Sequence, residues 1–294
     1  MSKTLRTLRK SRINLFYVPA LVLMLLFVAY PFAQAIHLSF TNWNGYSQTM
    51  HAVGFANYVS MLHDPNLRTA FINTLIYGFG SAFFQNVLGL LFALFLNSRF
   101  RGHSIVRTFI YLPVMISGLI MGYIIYYFVQ YDGGIFNEIL GWFGAAPVDF
   151  MAQRWRAVLI ITAINIWQYA GISMVIYMAG LQSIPTTYYE AARIDGAGTL
   201  RCFWSITLPL ITPAMATAVV MNLIGGLKLF DVIMALTGGG PGFATNSLST
   251  YISNQYFNAQ RAGYSAAVGI ATFLLIVLVA GIFNHLFATR ELEA

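Results

Sequence analysis

Long apolar segments without charged residues constrain this chain more than any other feature. Five stretches of about 20 residues or more contain no Asp, Glu, Lys or Arg, namely 15–36, 70–96, 108–129, 157–181 and 262–288. A sixth, 213–236, is interrupted only by Lys228 and Asp231. Each can cross a hydrocarbon core of about 30 Å as a helix, where the backbone must satisfy its own hydrogen bonds. The sequence therefore predicts an all-α polytopic membrane protein with six transmembrane helices.

The basic residues predict the orientation of these helices. Charged residues make up 9% of the chain, against about 25% in soluble domains. Eleven of the 16 Lys and Arg residues lie in the first 14 residues, the 98–107 loop, the loop after residue 190 and the C-terminal tail. The positive-inside rule then places both termini in the cytoplasm, with the first helix as an uncleaved anchor. The net charge of +7 is a topology signal that suits anionic lipid headgroups, and it needs no nucleic-acid partner.

A polar loop between the fourth and fifth apolar segments carries a dense motif. Residues 190–213 read E-A-A-R-I-D-G-A-G-T-L-R-C-F-W-S-I-T-L-P-L-I-T-P. The loop can form two short helices, 188–194 and 200–208, on either side of the turn Asp195-Gly196. Leu208-Pro209 is expected to end the second helix, and Pro213 suits the first turn of the next membrane helix. The small side chains of Ala191 and Ala192 leave one face able to enter a groove of a partner protein.

This loop resembles the "EAA loop" of the membrane subunits of binding-protein-dependent ABC importers. The resemblance implies a type I importer (MetI-like) permease fold and docking to a separate ATPase, with Glu190 engaging that ATPase and Gly196 setting the angle between the helices. The alternative is an ordinary amphipathic cytoplasmic loop. The resemblance implies five parts. They are a basic cytoplasmic arm (1–14), a first flanking helix (15–36), an external segment (37–69), a five-helix permease core (70–288) that contains the coupling loop 186–213, and a cytoplasmic tail (289–294).

Other motifs are similar to the maltose-type, carbohydrate-uptake branch of this family. They are I-G-G-L-K-L-F-D at 224–231, T-G-G-G-P-G at 237–242 and G-Y-S-A-A at 263–267, and together they resemble the larger of the two permeases of such importers. The resemblance implies an assembly with a second homologous permease, two copies of an ATPase subunit and an external sugar-binding protein, in a bacterial or archaeal cell (inner) membrane.

Polar side chains inside the fourth segment are candidates for the sugar path. Asn165, Gln168 and Tyr169 are three or four residues apart and can share one helix face. Amides, hydroxyls and aromatic faces suit sugar binding, and polar groups in hydrocarbon tend to face a cavity. The resemblance implies Asn165, Gln168, Tyr169 and Asn222 as substrate-binding residues. The alternative is that these groups only join helices to one another.

Several further features favour structural interpretations. Lys228 and Asp231 are three apart and favour an ion pair on one helix face. Gly118 and Gly122 form a G-x-x-x-G that predicts helix packing. The glycine run 238–242 lacks the Lys-Ser/Thr of a phosphate loop, so it favours an external turn near the binding protein. The chain should not itself hydrolyse ATP, and we expect neither a cofactor nor a metal site, nor a disulfide from Cys202.

Three alternative functions remain open at this point. An importer of the same class could carry glycerol phosphate or another polar solute, although Lys228 is the lone basic residue within a predicted helix core. A secondary transporter driven by an ion gradient would favour acidic residues inside helices, where Asp231 is the single example. A membrane enzyme would need a catalytic constellation at membrane depth, and the sequence offers none.

Overall fold

The computed structural model describes residues 17–98 and 101–291. Within those ranges the chain contains no β-strand, only one isolated antiparallel bridge between Thr41 and Ala52. The predicted basic arm 1–14 lies outside the described residues. The long helices are α1 (Tyr17–Ser39), α3 (Pro65–Asn97), α7 (Arg154–Gln182), α10 (Thr212–Leu227) and α13 (Ala262–Glu291).

Shorter helices connect them. They are α2 (Ala56–Leu62), α4 (His103–Met115), α5 (Gly118–Val129), α6 (Ile135–Trp142), α8 (Thr186–Ile194), α9 (Thr199–Cys202, Phe203–Thr207 and Leu208–Leu210 in succession), α11 (Asp231–Leu236) and α12 (Leu248–Ser253).

Two of the long helices exceed their predicted bounds. α1 extends past the predicted limit at 36. α3 begins before 70 because Asp64 caps its first turn by accepting from Asn66 N and Leu67 N at 2.9 and 3.1 Å.

The chain divides into two compact units. The first comprises residues up to His63 together with Ile252–Ala271. Within it, the Asn57 amide donates to the carbonyl oxygens of Ser39 and Thr41 at 2.8 and 2.9 Å. These bonds fix the segment that follows α1 against the start of α2.

The second unit comprises Asp64–Tyr251 and the chain from Thr272 onward, and it is built on α3, α7 and α10. Small residues let these helices approach closely. A Cβ added at Gly226 of α10 would lie 2.6 Å from the Tyr77 carbonyl oxygen of α3, and one at Gly180 of α7 would lie 2.7 Å from the Ala214 Cβ. Spaces too small for a Cβ atom are typical of membrane helices that pack closely through small residues.

The third apolar segment is not one helix. The sequence predicts a helix over 108–129, whereas α4 and α5 meet at an angle of 97°. Pro113 lies in a 3-10 turn at the end of α4, and the Ser117 hydroxyl caps α5 by accepting from Ile120 N. Proline and a good N-cap residue four positions apart are sufficient to end one helix and begin the next.

The number of spans agrees with the sequence. Five helices in the described ranges are long and apolar enough to cross a membrane, and the bent pair α4–α5 makes six when counted as one span. The predicted all-α membrane fold is therefore confirmed, and its sixth span depends on counting the bent α4–α5 pair as one broken segment.

The G-x-x-x-G motif packs as predicted. A Cβ added at Gly118 would lie 3.0 Å from the Asp231 Cβ, and one at Gly122 would lie 2.6 Å from the Ala235 Cβ. The motif therefore forms a close seam between α5 and α11.

Candidate functional site: a coupling hairpin and a polar cavity

The EAA segment forms a helical hairpin. α8 ends at Ile194, and Gly196 adopts a positive φ of 73° that a side chain would strain. Asp195 N donates to Ala191 O at 3.0 Å, and Ala197 N donates to Ala192 O at 2.8 Å. These bonds close the helix end around a left-handed glycine. The predicted turn at Asp195-Gly196 is confirmed.

The second half of the hairpin is longer than predicted. The chain stays helical through Pro209 to Leu210 and breaks at Ile211, so the expectation that Leu208-Pro209 ends this helix is wrong. The stretch Leu208–Leu210, which contains Pro209, follows directly on Phe203–Thr207, and Thr207 itself has helical angles (φ −64°, ψ −55°). Pro213 lies in the first turn of α10, as predicted.

One side-chain bond ties the two arms of the hairpin together. The hydroxyl oxygens of Tyr189 and Thr207 are 3.0 Å apart. Ile184 and Ile211, at the two ends of the hairpin, are buried in one apolar cluster with Leu181 of α7. The hairpin is therefore fixed to the membrane helices at both ends.

The hairpin presents the predicted coupling residues to solvent. Glu190, Ala191, Asp195 and Gly196 are exposed, and Ala192 is half-buried. Two apolar side chains beside them, Ile194 and Leu200, are 87% and 72% exposed. Sequence reasoning missed these two.

A cavity of about 290 Å³ lies among α3, α7, α10 and α11. We name it the amide cavity because three amide side chains line it, those of Gln85, Asn165 and Asn222. Tyr169 also lines it. The structure therefore brings together three of the four predicted substrate residues, Asn165, Tyr169 and Asn222.

The polar groups of the amide cavity are only partly satisfied by protein. Asn222 Nδ2 donates to Ser173 Oγ at 2.5 Å, and Gln85 Nε2 donates to the Asn165 carbonyl oxygen at 2.8 Å. Gln85 Oε1 and Asn165 Nδ2 are buried and have no hydrogen-bond partner in the described chain. An unsatisfied acceptor and an unsatisfied donor in the residues that line a cavity are unusual, because most buried polar atoms have a partner.

Gln85 was not among the predicted residues. It lies on α3, and its side chain is 1% exposed. The signal was present, because a glutamine within the second apolar segment is costly unless it faces a cavity or another polar group.

Gln168 does not line the amide cavity. Its Nε2 donates to the Ile116 carbonyl oxygen at 2.8 Å, at the break between α4 and α5. Its Oε1 is buried without a partner in the described chain. This residue holds the helix break in place.

Lys228 and Asp231 are separated by a second helix break. α10 ends at Leu227, and α11 begins at Asp231. Both side chains line the amide cavity, and in the described chain no ion pair joins them. The predicted ion pair on one helix face is therefore wrong, because the two residues do not share a helix.

Comparison with known families identifies the chain. Residues 85–291 match the model of the binding-protein-dependent transport system inner membrane component. The chain belongs to this family. The predicted resemblance is thereby confirmed, and the protein is a transport subunit of a multi-pass membrane type.

Two relatives of this permease are named as permease proteins of sugar transport systems. It is 34% identical over 263 residues to the trehalose/maltose transport system permease protein MalF of Thermococcus litoralis, covering 90% of this chain and 89% of the relative. It is 32% identical over 264 residues to the multiple sugar-binding transport system permease protein MsmF of Streptococcus mutans, covering 90% and 91%.

A solved structure shares both fold and length with the permease. A chain of a bacterial ABC transporter involved in import of the acidic polysaccharide alginate superimposes with a TM-score of 0.82 at 27% identity, covering 96% of both chains. A chain of a bacterial alginate ABC transporter, solved in complex with a periplasmic protein bound to an alginate pentasaccharide, superimposes with a TM-score of 0.83 at 27% identity, covering 96% of both chains.

Proposed function

We propose that this permease is one of two membrane subunits of an ATP-driven importer that receives carbohydrate from an external binding protein. The observation that carries the proposal is the amide cavity. Its amides and the Tyr169 ring match the hydroxyls and the apolar faces of a sugar. The named relatives transport sugars, which supports the same solute class here.

The exposed hairpin supports the coupling half of the proposal. Glu190 and its neighbours would dock on an ATPase subunit in the cytoplasm, where the positive-inside rule places this loop. α7 carries Asn165 and Tyr169, and its C-terminal end leads into α8. Closure of the ATPase dimer would therefore act on the helix that lines the cavity and bias it between inward-facing and outward-facing states.

Lys228 gives a second candidate solute some support. A cationic side chain at the cavity wall suits glycerol phosphate or another anionic solute. Asp231 lies on the same wall and opposes an anion, so the pair favours a neutral sugar. An ion-driven secondary transporter is not consistent with membership of a binding-protein-dependent family.

Purification of the chain from its native membrane in mild detergent tests the assembly. We expect an ATPase, a second permease with its own Glu-Ala-Ala loop and a sugar-binding protein to accompany it. Proteoliposomes containing that complex would then be assayed for ATP-dependent uptake of trehalose, maltose and glycerol 3-phosphate. Recovery of the chain alone from active membranes would contradict the proposal, and uptake of glycerol 3-phosphate alone would select the second candidate.

A further inference from the structure

The glycine loop that follows α11 forms one wall of a second cavity. This cavity has a volume of about 330 Å³ and lies at the end of α5 opposite Gly118. We name it the loop cavity, and its polar and aromatic lining residues are Tyr126, Gln130, Tyr131, Asp149 and Thr237. No residue is shared with the amide cavity.

The glycine wall is held by side-chain hydrogen bonds. Thr245 Oγ1 lies 2.8 Å from Thr237 Oγ1 and donates to the Gly240 carbonyl oxygen at 2.8 Å. Asn73 Nδ2, on α3, donates to the carbonyl oxygens of Ala244 and Asn246 at 2.8 and 2.9 Å. The loop is therefore held from within and also from α3.

The opposite wall is held by one buried amide. Asn137, 8% exposed, donates to the carbonyl oxygens of Tyr131 and Val148 at 3.1 and 3.0 Å and accepts from Val148 N at 2.9 Å. Asp149 Oδ1 accepts from Met151 N at 3.0 Å, which closes the next turn. Both walls are thus ordered by side-chain bonds before any ligand arrives, which lowers the entropic cost of binding.

The groups that remain open match carbohydrate chemistry. The Gln130 amide and the Tyr131 hydroxyl make no hydrogen bond in the described chain. The Tyr126 and Tyr131 side chains are 43% and 49% exposed. An amide, two phenols and a carboxylate can bind sugar hydroxyls, while the rings can cover the apolar face of a pyranose.

The charge of the loop cavity narrows the solute class. Among the described residues that line it, Asp149 is the charged one, and just outside the cavity the Arg156 guanidinium donates to the Asp149 carbonyl oxygen at 2.8 Å. A carboxylate accepts hydrogen bonds from neighbouring sugar hydroxyls but repels a uronate. The cavity is therefore complementary to neutral sugars and not to acidic ones.

The two cavities lie along the same seam. α11 places Asp231 at the amide cavity and leads to Thr237 at the loop cavity, a rise of about 9 Å for six residues. Gly118 of α5 faces the first, and Tyr126 faces the second. We propose that the loop cavity is a separate subsite for neutral oligosaccharide, occupied before or together with the amide cavity. This inference rests on the proposed function, since it assumes a sugar as solute.

Cysteine protection tests the subsite directly. Both variants are made in a Cys202→Ser background. Met151→Cys places a reporter thiol at the loop cavity. Phe143→Cys gives the control thiol, because Phe143 does not line the cavity and its side chain is 82% exposed. The purified importer complex is labelled with a methanethiosulfonate reagent in the presence of maltotriose, an alginate trisaccharide or sorbitol. At a maltotriose concentration ten times its dissociation constant, labelling of residue 151 should slow about tenfold, with no change at residue 143.

Two variants give the result its specificity. Tyr131→Ala should abolish protection by maltotriose, and Asp149→Asn should allow protection by the alginate trisaccharide. Absence of protection by neutral sugars in a complex that transports them would overturn the subsite while leaving the proposed function intact. Protection by the sugar-free binding protein, with none from sugar, would overturn it in favour of a protein-docking site. Failure of the unmodified complex to transport any sugar would instead refute the proposed function.

Discussion

The close seam between α5 and α11 gives a prediction whose magnitude follows from the structure. Gly122→Ala would place a methyl group 2.6 Å from the Ala235 Cβ, about 1 Å inside ordinary carbon–carbon contact. Overpacking of this kind costs about 1–3 kcal/mol. Replacing glycine by alanine within a helix regains up to about 1 kcal/mol. The net loss in the free energy of unfolding should therefore be about 0–2 kcal/mol.

A compensating substitution isolates the clash from the gain in helix propensity. In an Ala235→Gly background the nearest remaining contact of the new methyl group is the Val232 carbonyl oxygen at 3.1 Å. A second backbone contact, with the Val232 Cα at 3.3 Å, also remains, so Gly122→Ala should then cost less than in the parent background. The coupling free energy of the double-mutant cycle should exceed the roughly 0.3–0.5 kcal/mol expected for independent sites.

Equilibrium unfolding of the purified complex in mixed detergent micelles, followed by tryptophan fluorescence, would measure the cycle. Gly141→Ala in α6 is the matched control, because an added Cβ there meets no atom of the described residues within 4 Å. It should show no penalty. Additive effects at 122 and 235 would mean that the two helices do not touch at these residues, and the close seam between α5 and α11 would then be wrong.

Three further predictions concern the hairpin and the amide cavity. Glu190→Lys should leave the complex assembled but uncouple sugar uptake from ATP hydrolysis, and unchanged coupled uptake would remove the coupling role; Glu138→Lys, in α6, is the charge-matched control. Tyr169→Ala should raise the half-saturating sugar concentration about fivefold to thirtyfold, for a loss of about 1–2 kcal/mol, whereas Trp167→Ala on the same helix should not. Gly196→Ala should destabilise the turn by about 1–2 kcal/mol and lower sugar-stimulated ATPase activity; activity equal to that of the parent would show that the turn angle is unimportant.

Hydropathy predicted the spans because hydrocarbon solvation acts on any apolar segment of sufficient length. It did not predict where a span breaks. The break between α4 and α5 depends on Pro113 together with the Ser117 cap, and the break between α10 and α11 separates Lys228 from Asp231. Such local signals do not change the mean hydropathy of a segment of about 20 residues.

Only part of the amide cavity could be predicted, because helix periodicity relates residues within one helix and not residues on different helices. Helix periodicity placed Asn165 and Tyr169 on one face, and both line the cavity. Gln168 fits the same face by spacing, yet its amide turns to Ile116. Gln85 reaches the cavity from a helix 80 positions earlier in the chain, a relation that periodicity within one helix cannot contain. The substrate roles of all these residues stay predictions.

α7 differs from most of the long helices in mechanical terms. α1 and α3 contain π turns, and α10 gives way to α11 at a break, whereas α7 runs as α-helix over 29 residues. The hairpin is joined to its C-terminal end, and Tyr169 lies 13 residues before that end, a distance of about 20 Å along the axis. A tilt of about 10° at the hairpin, transmitted along that length of stiff helix, corresponds to a displacement of about 3.5 Å. That is close to the width of one hydroxyl contact, so under the proposed function a small rotation of the hairpin would be large enough to exchange one set of sugar hydrogen bonds for another.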